Sequence, residues 1–241
     1  MSNSEPQRPI AFPGGVADPA GRVAYVAHAT GGIDALNLET GEVRWSTDAA
    51  SRPLLGLDDR LVCQAFVKGR KNALQIVVLD AARGGVLLRS EAATLPDWVD
   101  VTTRGEAFAC SVRAEGDTLL YRWEGHARYR GGAPPPPEVL ARATKDAAGA
   151  ARISLSTGRV EVEAGEAGGE PSLEEEAAIP VAIPGMESEA MDARIVGSRA
   201  FYLLDTPSGR VLKARDARSG APLWERPLGP RPVSKPPRLR P

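Results

Sequence analysis

The chain has 241 residues and a formal net charge of −1, so it exerts no global pull on polyanionic nucleic acid or on an anionic membrane. No apolar run reaches the length of a membrane span. The opening MSNSEPQRPIAFPGG has neither the basic nor the apolar stretch of a secretory signal, so the cytoplasm is the expected location. The two cysteines, Cys63 and Cys110, cannot build a disulfide framework and read as small buried hydrophobes.

Residues 1–14 read as an N-terminal arm, 15–228 as one repeat domain and 229–241 as a tail rich in proline and arginine. Within the domain one phrase recurs. ALNLETGEVRW runs from Ala35 to Trp45 and ARDARSGAPLW from Ala214 to Trp224; two eroded copies, VLDAARGGVLL and RISLSTGRVEV, begin at Val78 and Arg152. Their glycines, Gly41, Gly84, Gly158 and Gly220, stand 43, 74 and 62 residues apart. The first spacing suits a four-stranded propeller blade. The longer two call for inserts, expected at about 131–149 and 163–189, where Gly, Pro, Ala and Glu dominate.

In chain order each unit reads as four strands. The first is weak, as in PLLGLDD or MDARIVG. The second is RVAYVAH, RLVCQAF, EAFACSV or RAFYLLD, which align without gaps and place Tyr25, Cys63 and Tyr202 in one column, with Ala109 as the exception. The third is GIDALNL, ALQIVVL, TLLYRWE or RVLKARD, and the fourth follows the Thr-Gly or Ser-Gly turn, where glycine supplies a positive φ. In the third unit the proline-rich insert displaces the hairpin.

The phrase A-x-(D/N)-x-x-(T/S)-G-x-x-x-W resembles the tryptophan-docking motif of pyrroloquinoline-quinone-like β-propeller repeats. Ala35, Asn37, Thr40, Gly41 and Trp45 match it in the first copy, and Ala214, Asp216, Ser219, Gly220 and Trp224 in the fourth. The second keeps Asp80 and Gly84 but has Leu88 in the tryptophan position; the third keeps Thr157 and Gly158 and ends in Val162. The resemblance implies an all-β propeller of four blade-like units whose tryptophans pack between blades. The chain lacks the vicinal cysteines, the export signal and half the blades of the quinoprotein dehydrogenases in that family, so the resemblance carries over no quinone or calcium. A non-catalytic relative, an outer-membrane assembly lipoprotein acting as a scaffold, is the better comparison.

Beyond the motif, chemistry is sparse. His28 and His126 have no ligand-like spacing, and no metal, nucleophile or phosphate-loop pattern occurs. Tyr121, Arg122, Trp123, His126, Arg128, Tyr129 and Arg130 form the densest aromatic and cationic cluster and read as a surface hairpin able to meet a protein partner. Ser172 with Glu175 suits a capping box in an acidic insert. Arg231, Lys235, Arg238 and Arg240 make the tail basic, and proline keeps it extended, which suits a recognition segment. Taken together these features imply a non-enzymatic scaffold with protein partners, no cofactor and no nucleic acid. A quinone- or small-molecule-binding oxidoreductase is the alternative. Four blades either close a small ring or form half of a larger one, which a homodimer would complete through uncovered apolar end faces.

Overall fold

The computed structural model describes residues 6–28, 31–103, 107–127, 138, 145–165, 186–187 and 190–229. Every named element among them is a β-strand, and the strands form four antiparallel sheets in sequence order. The first sheet holds β1 (Ile10–Phe12), β2 (Gly15–Ala17), β3 (Val23–Ala27), β4 (Ile33–Asn37) and β5 (Val43–Thr47). The second holds β6 (Arg52–Gly56), β7 (Arg60–Phe66) and β8 (Ala73–Asp80), with β9 (Val86–Arg89) and β10 (Ala93–Thr94) along the far edge of β8. β11 (Phe108–Glu115), β12 (Thr118–Ala127), β13 (Lys145–Ser154) and β14 (Val160–Gly165) make the third, and β15 (Met191–Val196), β16 (Arg199–Thr206), β17 (Gly209–Asp216) and β18 (Pro222–Pro227) the fourth.

This is the blade organisation that the repeat implies, with three corrections. The arm does not stand apart, because Ile10–Phe12 add a fifth strand at the edge of the first sheet, beside β2. Ahead of it, Gln7 and Ala114 exchange two backbone hydrogen bonds of 2.9 Å, which tie this segment to β11 of the third sheet. In the third unit, EAFACSV is the first strand and TLLYRWE the second; the third is β13, which begins inside the expected 131–149 insert. Likewise β14 runs on to Gly165, past the expected start of the second insert. The expected capping box at Ser172 lies outside the described residues.

The gapless alignment of second strands is also shifted by one. Cross-strand pairing places Tyr25 opposite Ala35, Val62 opposite Val78, Leu120 opposite Arg152 and Phe201 opposite Ala214. The structural column is therefore Tyr25, Val62, Leu120 and Phe201. Because side chains alternate between faces, a shift of one residue turns a side chain to the other side of its sheet. Cys63 and Tyr202 thus face the opposite way from Tyr25.

Both faces of the first two sheets are buried, which explains their near-continuous apolar strands. Three hydrophobic clusters join the sheets. Val26, Leu36 and Leu38 meet Phe201 and Leu212 between the first and fourth; Tyr25, Ile33 and Ala35 meet Leu61, Cys63 and Val77 between the first and second; Val62, Ile76 and Val78 meet Val112, Leu119 and Tyr121 between the second and third. The sheets therefore stack in the order fourth, first, second, third. Among the described residues no hydrophobic cluster joins the third to the fourth. The free face of the third sheet carries Arg122, Arg152, Glu161 and Glu163, with Arg152 Nε 3.2 Å from Glu163 Oε1 and both side chains more than half exposed. Among the described residues these charged side chains stand where a half-ring would place an apolar end face. A polar outer face is what a terminal unit of a stacked array requires.

Candidate interaction surfaces and the docking signature

The local chemistry of the phrase builds a turn. In three copies the Asn or Asp side chain accepts backbone N–H groups two or three residues on: Asn37 from Glu39 at 2.8 Å, Asp80 from Ala82 and Arg83 at 2.8 and 2.9 Å, Asp216 from Arg218 and Ser219 at 3.1 and 2.7 Å. In the third copy the Ser154 hydroxyl accepts from Thr157 at 3.1 Å instead. These side-chain turns stand in for missing backbone pairs. Thr40, Thr157 and Ser219 add weaker hydroxyl contacts to the N–H two residues ahead. Each turn closes through a glycine whose φ lies between 72° and 75°.

The tryptophan of one copy docks on the turn of the next sheet in the stack, not on its own. Trp45 Nε1 donates to Ala81 O at 3.0 Å, and its ring lies so close to Gly84 that a Cβ there would sit 2.5 Å from Cε3. Trp224 repeats this on the first sheet: Nε1 donates to Leu38 O at 3.3 Å, and a Cβ on Gly41 would sit 2.6 Å from Cδ2. Glycine is needed at these two positions for the positive φ and for the approach of the indole. Tyr25 packs on Trp45 and Phe201 on Trp224, with ring centroids 5.8 and 5.7 Å apart.

The eroded copies follow the same geometry in part. A Cβ on Gly158 would sit 3.4 Å from Leu88 Cδ1, ordinary contact rather than the close approach of an indole, and leucine has no indole donor. In the first, second and fourth sheets a bulge precedes this position, so that Trp45, Leu88 and Trp224 oppose Ala35, Val78 and Ala214. Between β13 and β14 the register is continuous. Arg152 pairs with Glu161 and Val162 with Ala151, so Val162 is turned to the other face and stays exposed.

The aromatic cluster resolves into two parts. Tyr121 and Trp123 are buried between the second and third sheets, which removes them from the expected surface hairpin; alternation along β12 leaves Arg122 exposed and His126 half-buried on its rim. Arg128, Tyr129, Arg130, Arg231, Lys235, Arg238 and Arg240 lie outside the described residues. Cys63 is free and fully buried, and burial pushes its thiol well up; Cys110 is free and half-buried. His28 is 2.9 Å from Asp34 and so is not a bare strand tip.

A cleft of about 520 Å³ opens where the turns of the first sheet meet the second and fourth. Arg22, Arg44 and Arg199 line it, with Asp18, Asp58 and Tyr25. Asp18 is occupied locally, accepting the N–H groups of Arg22 and Val23 at 2.6 and 2.8 Å. Arg199 approaches Glu39 at 3.9 Å, whereas Arg22 and Arg44 are exposed and have no ion-pair partner among the described residues. Burial, reinforced by Asp18, pushes the Tyr25 hydroxyl up to about 12, so it stays a neutral donor. No sequence periodicity points to this cleft, because its residues come from separate strands and turns of three sheets.

The family profile described as outer membrane protein assembly factor BamB matches residues 2–163. The chain belongs to this family of PQQ-like propeller repeats. Its structure is similar to that of BamB from Moraxella catarrhalis, at 15% identity over 87% of this chain and 59% of that one, with a TM-score of 0.29. It is also similar to a europium-containing methanol dehydrogenase, at 12% identity over 88% and 42% of the two chains and a TM-score of 0.38. For the quinohemoprotein alcohol dehydrogenase ADHIIG of Pseudomonas putida HK5 the values are 12%, 93%, 36% and 0.34. The chain thus spans less than two thirds of the length of each. A search of curated protein sequences gave no match. Among the described residues no helix is long and apolar enough to cross a membrane.

Proposed function

We propose that the protein is a non-enzymatic propeller scaffold that holds a partner protein against the turn-side cleft between its first, second and fourth sheets. The observation that carries this reading is the assignment of the signature: Gly41, Gly84, Trp45 and Trp224 all act in sheet-to-sheet docking. Arg22 and Arg44 are exposed in the cleft and form no ion pair among the described residues. Arginine is enriched at protein interface hot spots, and its fork suits carboxylates presented by a partner. Membership of a family described as an assembly factor agrees with a binding role.

The test is photo-crosslinking from a residue at the cleft mouth in the full chain, compared with an Arg22→Glu/Arg44→Glu variant. The reading expects one defined adduct that the charge-reversed variant loses while its unfolding midpoint is unchanged. An adduct of equal yield in both, or redox-dye reduction by the purified chain, contradicts it.

A further inference from the structure

Between the second and third sheets lies a polar cluster that the docking geometry does not use. Arg52 and Gln64 are cross-strand partners on the face of the second sheet turned to the third. Cys110 and Trp123 are cross-strand partners opposite them, with Tyr121 two residues along on the same face. Arg52 is 7% exposed, Trp123 4%, and Gln64 and Tyr121 are fully buried.

Four atoms here have no hydrogen-bond partner: Arg52 Nε, Gln64 Oε1, Tyr121 Oη and Trp123 Nε1. Arg52 Nη2 donates to Thr103 O at 2.8 Å, but Nη1 reaches only the Cys110 sulfur at 3.9 Å. No carboxylate pairs with this guanidinium among the described residues. Buried charges are ordinarily paired, and buried donors ordinarily satisfied, whereas the described residues give this guanidinium no anion.

We propose that this cluster is a binding site for a small monocarboxylate. Among the described residues the guanidinium is the only full charge in it, which matches one negative charge and disfavours phosphate or sulfate. Its planar fork is complementary to a carboxylate. The phenol and the indole N–H supply two further donors, enough with the guanidinium to serve the lone pairs of one carboxylate. A water donating one hydrogen to Gln64 Oε1 and the other to the anion satisfies the remaining acceptor. The Tyr121 hydroxyl is pushed well up by burial, with Cys110 adding to the shift and Arg52 opposing it, so it remains protonated and able to donate. The cluster approaches the surface: the Arg52 guanidinium carbon lies 5.7 Å from the centre of the Phe66 ring, which is 38% exposed. The site lies inside the wall between two blades, apart from the turn-side cleft.

Thermal unfolding of the full chain at pH 7, with sodium acetate replacing sodium chloride at constant ionic strength, tests the assignment. Acetate at about ten times its dissociation constant should multiply the folding equilibrium constant by about 11, in a saturable manner. Arg83→Met, an exposed control, should respond as the parent does. Arg52→Met should not respond; if that variant fails to fold, Tyr121→Phe, which keeps the ring and removes one donor, should shift the half-saturating acetate concentration upward. A midpoint indifferent to acetate overturns the proposal and leaves Arg52 and Gln64 as anchors of the backbone at Thr103 and Val101. An equal response to phosphate, or a parent-like response in Arg52→Met or Tyr121→Phe, overturns it too.

Discussion

Replacing Gly84 by alanine places two separate costs on one atom. At φ +72° a Cβ crowds the following carbonyl, worth about 1–2 kcal/mol. That same Cβ would lie 2.5 Å from Trp45 Cε3 and 2.8 Å from Cδ2, so the indole must slide off its seat and strain its bond to Ala81 O. Overpacking of this kind costs about 1–3 kcal/mol. The two together amount to about 2–5 kcal/mol. The adjacent Gly85 has open space around its would-be Cβ, so Gly85→Ala should stay within about 0.5 kcal/mol of the parent. Denaturant unfolding of both variants, together with Trp45→Ala and the Trp45→Ala/Gly84→Ala double variant, separates the terms. Without the indole the steric part disappears, so the cycle should show about 1–3 kcal/mol of coupling. Additive losses, or equal effects at Gly84 and Gly85, would refute docking of Trp45 on this turn.

Asp80→Ala should cost about 1–2 kcal/mol through the loss of two turn hydrogen bonds, whereas Asp80→Asn should be nearly neutral, as Asn37 serves in the first copy; chemical denaturation measures both. Trp224→Phe keeps most of the ring but removes the donor to Leu38 O, so a loss of about 1–2 kcal/mol is expected, smaller than that of Trp224→Ala in the same assay. The Glu187 carboxyl is held from its ordinary 4.5 down to about 2 by hydrogen bonds from Lys213 and Tyr202. Because its folded value is depressed, the stabilisation is present above about pH 4.5 and is lost as the pH falls toward 2. The stability gap between the parent and Glu187→Gln should therefore close across that window; a gap constant down to pH 2 would contradict this role.

The blade phrase was legible because it is local. Asp80, Gly84 and their counterparts lie within a few residues of one another and act through backbone chemistry that any copy must repeat. The third unit was less legible for a packing reason. β13 opens with KDAAGAA, which reads as a loop, yet small residues are what the site requires: a Cβ on Gly149 would lie 2.8 Å from the Trp123 ring. The exposure expected for Tyr121 and Trp123 failed because local composition cannot tell which face of β12 meets a neighbouring sheet. The shifted column through Cys63 and Tyr202 arose because register follows cross-strand pairing, and gapless alignment does not see it. Arg52, Gln64, Cys110 and Trp123 carry no shared motif, and only the folded stack brings them together.

The central claim is that each tryptophan belongs to the turn of the neighbouring sheet, with the fourth sheet docked on the first. Indole N–H resonances report this directly, since the chain has four tryptophans, at positions 45, 98, 123 and 224. Gly41→Ala should shift the Trp224 indole signal and speed its hydrogen exchange while leaving Trp45 of the same copy in place. A change confined to Trp45, with Trp224 untouched, would contradict the docking order.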